Sequence, residues 1–202
     1  MTAVQGPPDR NISYRGFPKK PIAAETELYR AHSISREAWW FDNSAYGRFN
    51  LPSPRGTCYA ASRAETAVRE KVRDEVSSSG VVSRALAETF IVSIVRAPID
   101  YKCAAVSSTG AARFNVVRAL VTMDDYDVPQ EWAETFEAHT FDGVYYGSAY
   151  TTGGPSALAL FGDEGDPGPL FTATQHMTGP QACKAAGMTV AGPPSFGALT
   201  VI

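Results

Sequence analysis

Prolines and glycines divide this chain into short segments, and this punctuation restricts the fold more than any other feature of the sequence. Between the breaks, alternating or β-branched residues predict strands at 28–32, 57–61, 89–95, 143–147, 156–161 and 188–190. Helices are predicted over 62–76, 111–121, 129–138 and 178–187. This irregular alternation indicates an α+β (mixed α/β) fold, a single domain in which a mixed sheet core is flanked by helices.

The clearest helix is predicted to begin at Ser62. Ser62 and Glu65 fit a capping box, and Val68, Val72 and Val76 then recur every four residues as a core-facing stripe. The serines and the glycine of 77–80 are predicted to end this helix.

Length and composition indicate an ordinary globular protein with one main domain. The chain has 202 residues, of which 44% are apolar and 19% charged, enough for a sizeable core without disulfides. We predict an N-terminal arm at 1–23 that is flexible or loosely docked, a main folded domain at 24–190 and a C-terminal tail at 191–202.

The charge balance argues against a general nucleic-acid binder. Lys and Arg total 18 and Asp and Glu total 21, a net charge of −3, so no basic excess exists to neutralise many phosphates. Three widely spaced cysteines predict free, mostly buried thiols in a reducing cytoplasm. Neither a signal-peptide core nor a stretch long enough to span a membrane occurs, so we expect a soluble cytoplasmic protein.

Common catalytic signatures are missing from the sequence. There is no phosphate-binding Gly-x-x-x-x-Gly-Lys-Ser/Thr loop, no Gly-x-Gly-x-x-Gly after a strand and no His-Glu-x-x-His. The three histidines are scattered, so we expect no metal site. Ser156 misses the nucleophile-elbow pattern because Leu158 stands where a glycine is needed.

Four separated blocks, in a particular order, do carry a signal. They are Leu28-Tyr29-Arg30, Gly47-Arg48-Phe49-Asn50, Gly56-Thr57-Cys58-Tyr59-Ala60 with the later Ala67-Val68-Arg69-Glu70, and Asp142-Gly143-Val144-Tyr145-Tyr146-Gly147-Ser148. In this order and spacing they resemble the RES domain, a family named for an arginine, a glutamate and a serine. The resemblance runs from about residue 27 to 162 and more loosely to 190.

The resemblance implies a fold similar to that of ADP-ribosyltransferases, with a cleft that binds NAD+ as substrate and no prosthetic group. It implies a toxin that degrades NAD+ by hydrolysis or phosphorolysis of the nicotinamide–ribose bond. An ADP-ribosyltransferase acting on a protein and a non-catalytic NAD-binding domain remain alternatives. The implied partner is an Xre-type helix-turn-helix antitoxin, with no direct contact to nucleic acid or membrane; self-association is left open.

The name-giving trio falls on Arg30, Glu70 and Ser148. Glu70 would stabilise an oxocarbenium-like transition state at the ribose, by analogy with glycosidases. Arg30 would bind the diphosphate through its planar fork of donors, and Ser148 would donate to a phosphate or ribose oxygen. Taken alone, each has a plainer interpretation: a solvated edge arginine, a glutamate on the water-facing side of its helix, and a loop serine.

The matched blocks also supply candidate substrate-binding residues, namely Tyr29, Arg48, Asn50, Tyr59 and Gly147. Arg48 would share the diphosphate, although it could instead pair with a surface carboxylate such as Asp42. Tyr59 would stack on a flat ring such as nicotinamide, and Gly147 would let the backbone approach the ligand.

Two departures from the family pattern stand out. Phe49 replaces a frequent tryptophan but keeps an aromatic ring, and the proline-flanked loop at 51–56 differs from the expected glycine-containing form.

Overall fold

Ten strands organise this computed structural model, which describes residues 4–76, 80–154 and 156–193. They are β1 (Lys19–Ile22), β2 (Glu27–Ser33), β3 (Arg55–Ala61), β4 (Val81–Ser83), β5 (Phe90–Arg96), β6 (Tyr101–Ala105), β7 (Gly143–Gly147), β8 (Ser156–Asp163), β9 (Ala173–Thr178) and β10 (Thr189–Ala191). Eight of them form one sheet in the order β1-β6-β7-β8-β3-β2-β5-β9, and β10 pairs with β4. Because β6 and β7 run parallel and their neighbours antiparallel, the sheet is mixed, and the predicted fold class is confirmed.

Five α-helices flank the sheet. They are α1 (Ala64–Val72), α2 (Arg84–Ala87), α3 (Ala119–Thr122), α4 (Asp127–Ala138) and α5 (Gly179–Ala185), with short 3-10 helices at Arg73–Glu75 and Thr109–Phe114. Helices α1 and α5 pack against each other, whereas α4 packs against β7. In the described ranges, no helix has the length and apolar character needed to cross a bilayer.

Both faces of the central sheet are covered, as β8 shows most clearly. Leu158 and Leu160 point into one core with Cys58, while Ala157, Ala159 and Phe161 point into the opposite core with Phe136 of α4. Successive side chains of a strand point to opposite faces, so a strand covered on both sides is apolar throughout. The three cysteines are free and buried, as predicted. Cys58 and Cys103 lie in the core that contains Leu158, and Cys183 lies in a third core around α1 and α5.

The sheet splits between β2 and β3. These strands pair only at Tyr29 and Ala61, although β2 pairs along its whole length with β5 on its other side. Beyond that point the loop after β2 takes the place of the strand, since Asp42 and Thr57 exchange backbone hydrogen bonds of 2.8 and 2.9 Å. The diverging strands leave a gap that side chains, rather than backbone ladders, must fill.

The N-terminal segment is integral to the core, which corrects the expected loosely docked arm. Tyr14 and Phe17 are buried among the aromatic rings of the α4 core, and Trp132 of α4 donates a 3.0 Å hydrogen bond to the carbonyl of Gly6. Strand β1 then pairs with β6 at the sheet edge. The composition of the segment is mostly polar, which favours the expectation of a loose arm. Its few aromatic rings nevertheless bury enough apolar surface to dock it against the core. Most of the predicted tail, from 194 onward, lies outside the described residues, and the domain boundaries stay a prediction.

The predicted capping box at the start of α1 is wrong. The helix begins at Ala64, and the hydroxyl of Ser62 accepts a 3.0 Å hydrogen bond from the backbone of Ser156 in β8 instead. Glu65 pairs with Arg69 at 3.2 Å, as their spacing indicates. The Ser62 hydroxyl thus accepts from the backbone of a neighbouring strand rather than from the first turn of α1. A local sequence pattern does not show such a distant partner.

The same helix ends earlier than its valine stripe predicts. Val68 and Val72 are buried, but α1 stops at Val72 because Arg73 adopts φ 42° and ψ −124°. Val76 packs on the same core from beyond the 3-10 turn. The predicted end at 77–79 lies outside the described residues.

One predicted helix is broken. Over 111–121 the structure has a 3-10 helix, Thr109–Phe114, a left-handed Asn115 at φ 60°, and then α3. The predicted strands and the helices at 129–138 and 178–187 have counterparts in β2, β3, β5, β7, β8, β10, α4 and α5.

Candidate active site

A cleft of about 260 Å³ lies where β2 and β3 diverge. Its walls come from β2, the loop after it, β3, α1 and β7, and the side chains facing it include Arg30, Tyr59, Glu70, Arg73 and Tyr146. Two residues of the predicted trio therefore share one cleft.

Arg30 bridges the two diverging strands. Its Nη1 contacts the buried thiol of Cys58 on β3, and its Nη2 donates a 2.8 Å hydrogen bond to the carbonyl of Trp40. Only 8% of the residue is exposed, which rules out the solvated edge arginine. Because both acceptors are uncharged, Arg30 brings a positive charge to the cleft without an ion-pair partner among the described residues.

Glu70 points into the cleft from α1. Its Oε1 is buried and makes no hydrogen bond within the described part of the chain, an exception among buried polar atoms. Burial raises the pKa of this carboxyl group above its ordinary value, and the hydroxyl of Ser148 and the charges of Arg73 and Arg48 oppose that rise. The water-facing interpretation of this helix side is wrong because the cleft, not bulk solvent, lies beside it.

Ser148 reaches Glu70 from a different cavity. It is 6% exposed, follows directly after β7, and accepts a 3.0 Å hydrogen bond from the backbone of Tyr150. It lines an adjoining cavity of about 460 Å³ rather than the Arg30 cleft. Against the rise that burial causes, the Ser148 hydroxyl lowers the pKa of the Glu70 carboxyl group, so these two side chains are close, but Ser148 does not line the cleft that Arg30 and Glu70 share.

Arg48 does not pair with Asp42. Its Nη1 donates to the carbonyl of Met123, and its guanidinium lies over the ring of Tyr126, 4.7 Å from the ring centre. The carboxylate of Asp42 instead accepts a 2.7 Å hydrogen bond from the side chain of Asn50.

Tyr59 and Asn50 hold the Arg48 loop in place. The Tyr59 hydroxyl donates to Asn50 at 2.9 Å and accepts from the backbone of Phe49 at 2.8 Å. Asn50 is 3% exposed and does not face the cleft, so its contacts are those of a positioning residue. The ring of Tyr59 does line the cleft, and stacking on a ligand ring stays a prediction.

The two remaining predicted residues lie at the edges of the site. Tyr29 lines the cleft and donates a 3.2 Å hydrogen bond to Glu27. Gly147 lines the adjoining cavity, where its backbone donates to Ser107 at 2.9 Å. A Cβ there would meet nothing nearer than 3.7 Å, so packing within the chain does not require this glycine.

Sequence reasoning missed three further cations of the cleft: Arg36, and the pair Lys71 and Arg73 near Glu70 in the chain. Burial lowers the pKa of Lys71 below its ordinary value, and the nearby charges of Arg30 and Arg73 lower it further. Lys71 and Arg73 lie close to Glu70 in the sequence, which could have indicated that they belong to the same site. The helical period, however, predicts that only the valine side of α1 is buried.

His32 is also part of the cleft wall, although no role was predicted for it. It is 6% exposed; its Nδ1 lies 3.0 Å from the carbonyl of Arg36 and its Nε2 lies 2.9 Å from the hydroxyl of Ser93. Burial and then the charge of Arg30 lower its pKa below the ordinary value. The signal was the two-residue spacing from Arg30, which puts both side chains on one face of β2.

Across the part of the chain that the structure describes, no cluster of three or more His, Cys, Asp or Glu side chains could hold a metal ion. The lining of the cleft includes basic side chains, the carboxyl groups of Asp42 and Glu70, and the rings of Tyr29, Tyr59 and Tyr146.

Comparison with known proteins identifies the family. The sequence model of the RES domain matches residues 27–178, which is three quarters of the chain. This chain belongs to the RES domain family. The assignment of its name-giving arginine, glutamate and serine to Arg30, Glu70 and Ser148 stays a prediction.

One similar solved structure is the crystal structure of the M. tuberculosis MbcT–MbcA toxin–antitoxin complex. The similarity has a TM-score of 0.63 at 15% sequence identity and covers 83% of this chain and 92% of that chain. At this identity the likeness shows that the fold is shared. Among curated proteins, no sequence matches this chain.

Proposed function

We propose that this RES domain is a toxin-type enzyme that cleaves the nicotinamide–ribose bond of NAD+. The observation that carries the proposal is the Glu70 carboxyl group, buried with an unpartnered oxygen in a cleft whose lining also includes Arg30, Lys71 and Arg73. Membership of the RES family and the toxin–antitoxin context of the similar structure support it.

The reaction needs a group that stabilises positive charge on the ribose. When the bond between the ribose carbon and the nicotinamide nitrogen breaks, its electron pair leaves with the nicotinamide, which becomes neutral. The ribose then carries oxocarbenium character, and the negative carboxylate of Glu70 stabilises it electrostatically. Water attacking this carbon gives ADP-ribose and releases a proton; phosphate attacking it gives ADP-ribose phosphate.

The cleft also suits the diphosphate of the substrate. Arg30 lines the cleft, is more than nine-tenths buried, and donates to a thiol and a backbone carbonyl rather than to carboxylates. Arg48 is equally buried but is not part of the cleft lining; it donates to the carbonyl of Met123 and adds a positive charge nearby. Such uncompensated guanidinium groups favour an anionic ligand, and their planar forks match phosphate oxygens.

The partner in this proposal is an antitoxin that covers the cleft and prevents NAD+ from entering. The similar solved structure is that of a toxin–antitoxin complex, and the resemblance of this chain to RES toxins points to an Xre-type helix-turn-helix protein. A cytoplasmic location follows from the substrate and the partner.

The test is to follow NAD+ labelled in its adenylate part, incubated with purified protein in a cell lysate. Soluble labelled ADP-ribose or its phosphate supports the proposal and identifies the acceptor as water or phosphate. Label fixed on a protein band would instead show an ADP-ribosyltransferase. Binding of NAD+ without any turnover would show a non-catalytic domain and overturn the proposal.

A further inference from the structure

Arg73 holds a backbone conformation that arginine rarely adopts. At φ 42° and ψ −124°, it ends α1 and donates its backbone N–H to the carbonyl of Arg69. Glycine is the ordinary residue at such a helix end, because a Cβ makes positive φ costly. Strain of this kind is concentrated at functional sites, which points to the side chain as the reason for an arginine here.

The Arg73 side chain turns back into the cleft beside Glu70. Its Nε donates to the backbone carbonyl of Glu70 at 3.1 Å, and its Nη1 donates to the hydroxyl of Tyr126 at 3.2 Å. Both acceptors are neutral, and no described carboxylate lies within ion-pair distance. None of the hydrogen bonds found among the described residues uses its Nη2.

Arg48 approaches the same tyrosine from another element. The guanidinium carbons of Arg48 and Arg73 lie 4.7 and 6.0 Å from the centre of the Tyr126 ring. Tyr126 therefore brings together two positive charges, from the 47–50 loop and from the end of α1. Of the two, Arg73 lines the cleft, so its fork of donors can reach phosphate oxygens of a ligand there, while Arg48 adds positive charge close by.

We propose that Arg73 is a substrate-binding residue that binds the diphosphate of the dinucleotide, with the nearby positive charge of Arg48 adding to the attraction. This inference rests on the proposed function and deepens it, because it assigns a substrate contact to a residue outside the name-giving trio. The competing interpretation is that Arg73 only completes the end of α1 through its bond to Glu70.

The experiment measures the affinity for ADP-ribose, a stable molecule that carries the diphosphate, by calorimetry. Arg73→Gln is expected to weaken binding about tenfold to a hundredfold, the worth of a charge-assisted hydrogen bond or two. Arg73→Gly is expected to weaken it equally, while its unfolding temperature lies above that of Arg73→Gln because glycine relieves the backbone strain. Arg84→Gln, which removes an exposed arginine paired with Glu88 outside the cleft, serves as the matched control.

Retained affinity in both Arg73 variants would overturn the inference, and so would a wild-type protein that does not bind ADP-ribose. Loss of affinity only in the variant that also loses stability would show a purely structural role and overturn it too. Wild-type protein that binds ADP-ribose through Arg73 but releases no nicotinamide from NAD+ would overturn the proposed function and leave the binding role of Arg73 standing. Kinetics add a second readout, since loss of a diphosphate contact raises KM more than it lowers kcat.

Discussion

The buried position of the Glu70 carboxyl group, which we propose serves the reaction, lowers the stability of the folded protein at neutral pH. Burial raises the pKa of its carboxyl group, so the folded protein binds the proton more tightly than the unfolded chain does. Stability is therefore fully present below the ordinary carboxyl pKa and falls as pH rises through the folded-state pKa.

Replacing this group with a neutral one should reverse that cost. We expect Glu70→Gln to raise the unfolding temperature at neutral pH, and we expect the gain to shrink as pH falls through the raised pKa of Glu70 and to be absent below the ordinary glutamate pKa. Thermal unfolding across a pH series measures it, with Glu65→Gln on the exposed side of α1 as the matched variant. A Gln variant less stable than wild type at neutral pH would show that the carboxylate is stabilised rather than strained.

Tyr59 tests the anchoring of the Arg48 loop. Tyr59→Phe removes the hydroxyl that joins the backbone of Phe49 to the side chain of Asn50, leaving both polar groups without that partner. We expect a loss of about 1–3 kcal/mol in the free energy of unfolding, measured by urea denaturation. Tyr46→Phe, at an exposed tyrosine, should change little; equal effects of the two changes would contradict the anchoring role.

The order of the four sequence blocks predicted Arg30, Glu70 and Ser148 as site residues. It did not predict the contacts of the site side chains, whose partners lie far away in the sequence. Arg30 meets Cys58, 28 positions away, and Arg48 meets Met123, 75 positions away. Such contacts depend on how the strands are arranged, which a local pattern does not specify.

Among the elements, α5 illustrates a packing constraint at a helix start. A Cβ on Gly179 would lie 1.9 Å from the carbonyl oxygen of Ala87 and 2.7 Å from that of Phe90, so α5 sits directly against the backbone of its neighbours. Gly179→Ala is expected to cost about 1–3 kcal/mol because backbone has to shift to admit the methyl group. Gly16→Ala, where a Cβ would meet open space, is the control for denaturant unfolding. Equal midpoints for the two variants would show that α5 has room to move.

Local signals predicted some elements well and missed others. The strand Gly143–Gly147 has its predicted bounds, and the helix predicted over 178–187 is present as α5. By contrast, strand β9 is almost wholly exposed and pairs only through β5, so its residues lack the alternation that marks a half-buried strand.

For the molecule as a whole, the N-terminal segment completes the core. Phe17 is 3% exposed and packs against the rings of α4, so Phe17→Ala is expected to cost about 3–5 kcal/mol of unfolding free energy. Val4→Ala, at a residue that is 80% exposed, should remain within about 0.5 kcal/mol of wild type. Denaturant unfolding that gave Phe17→Ala the stability of wild type would mean that the segment is a detachable arm after all.

The split between β2 and β3 creates the cleft, and it was beyond sequence reasoning. Both strands were predicted from their own residues, but their single paired position depends on the loop that inserts Asp42 beside Thr57. Family resemblance therefore supplied the expectation of a shared cleft, and the arrangement of strands explains how Arg30 and Glu70 come to face it.

Cleavage of NAD+ with the help of the Glu70 carboxylate is best tested by the release of nicotinamide from the purified protein. Wild type should release nicotinamide, whereas Glu70→Gln, folded and nearly equal in shape, should lose about a hundredfold to a thousandfold in rate. Wild-type protein without turnover, or a Gln variant as fast as wild type, would contradict the proposed role of this carboxylate.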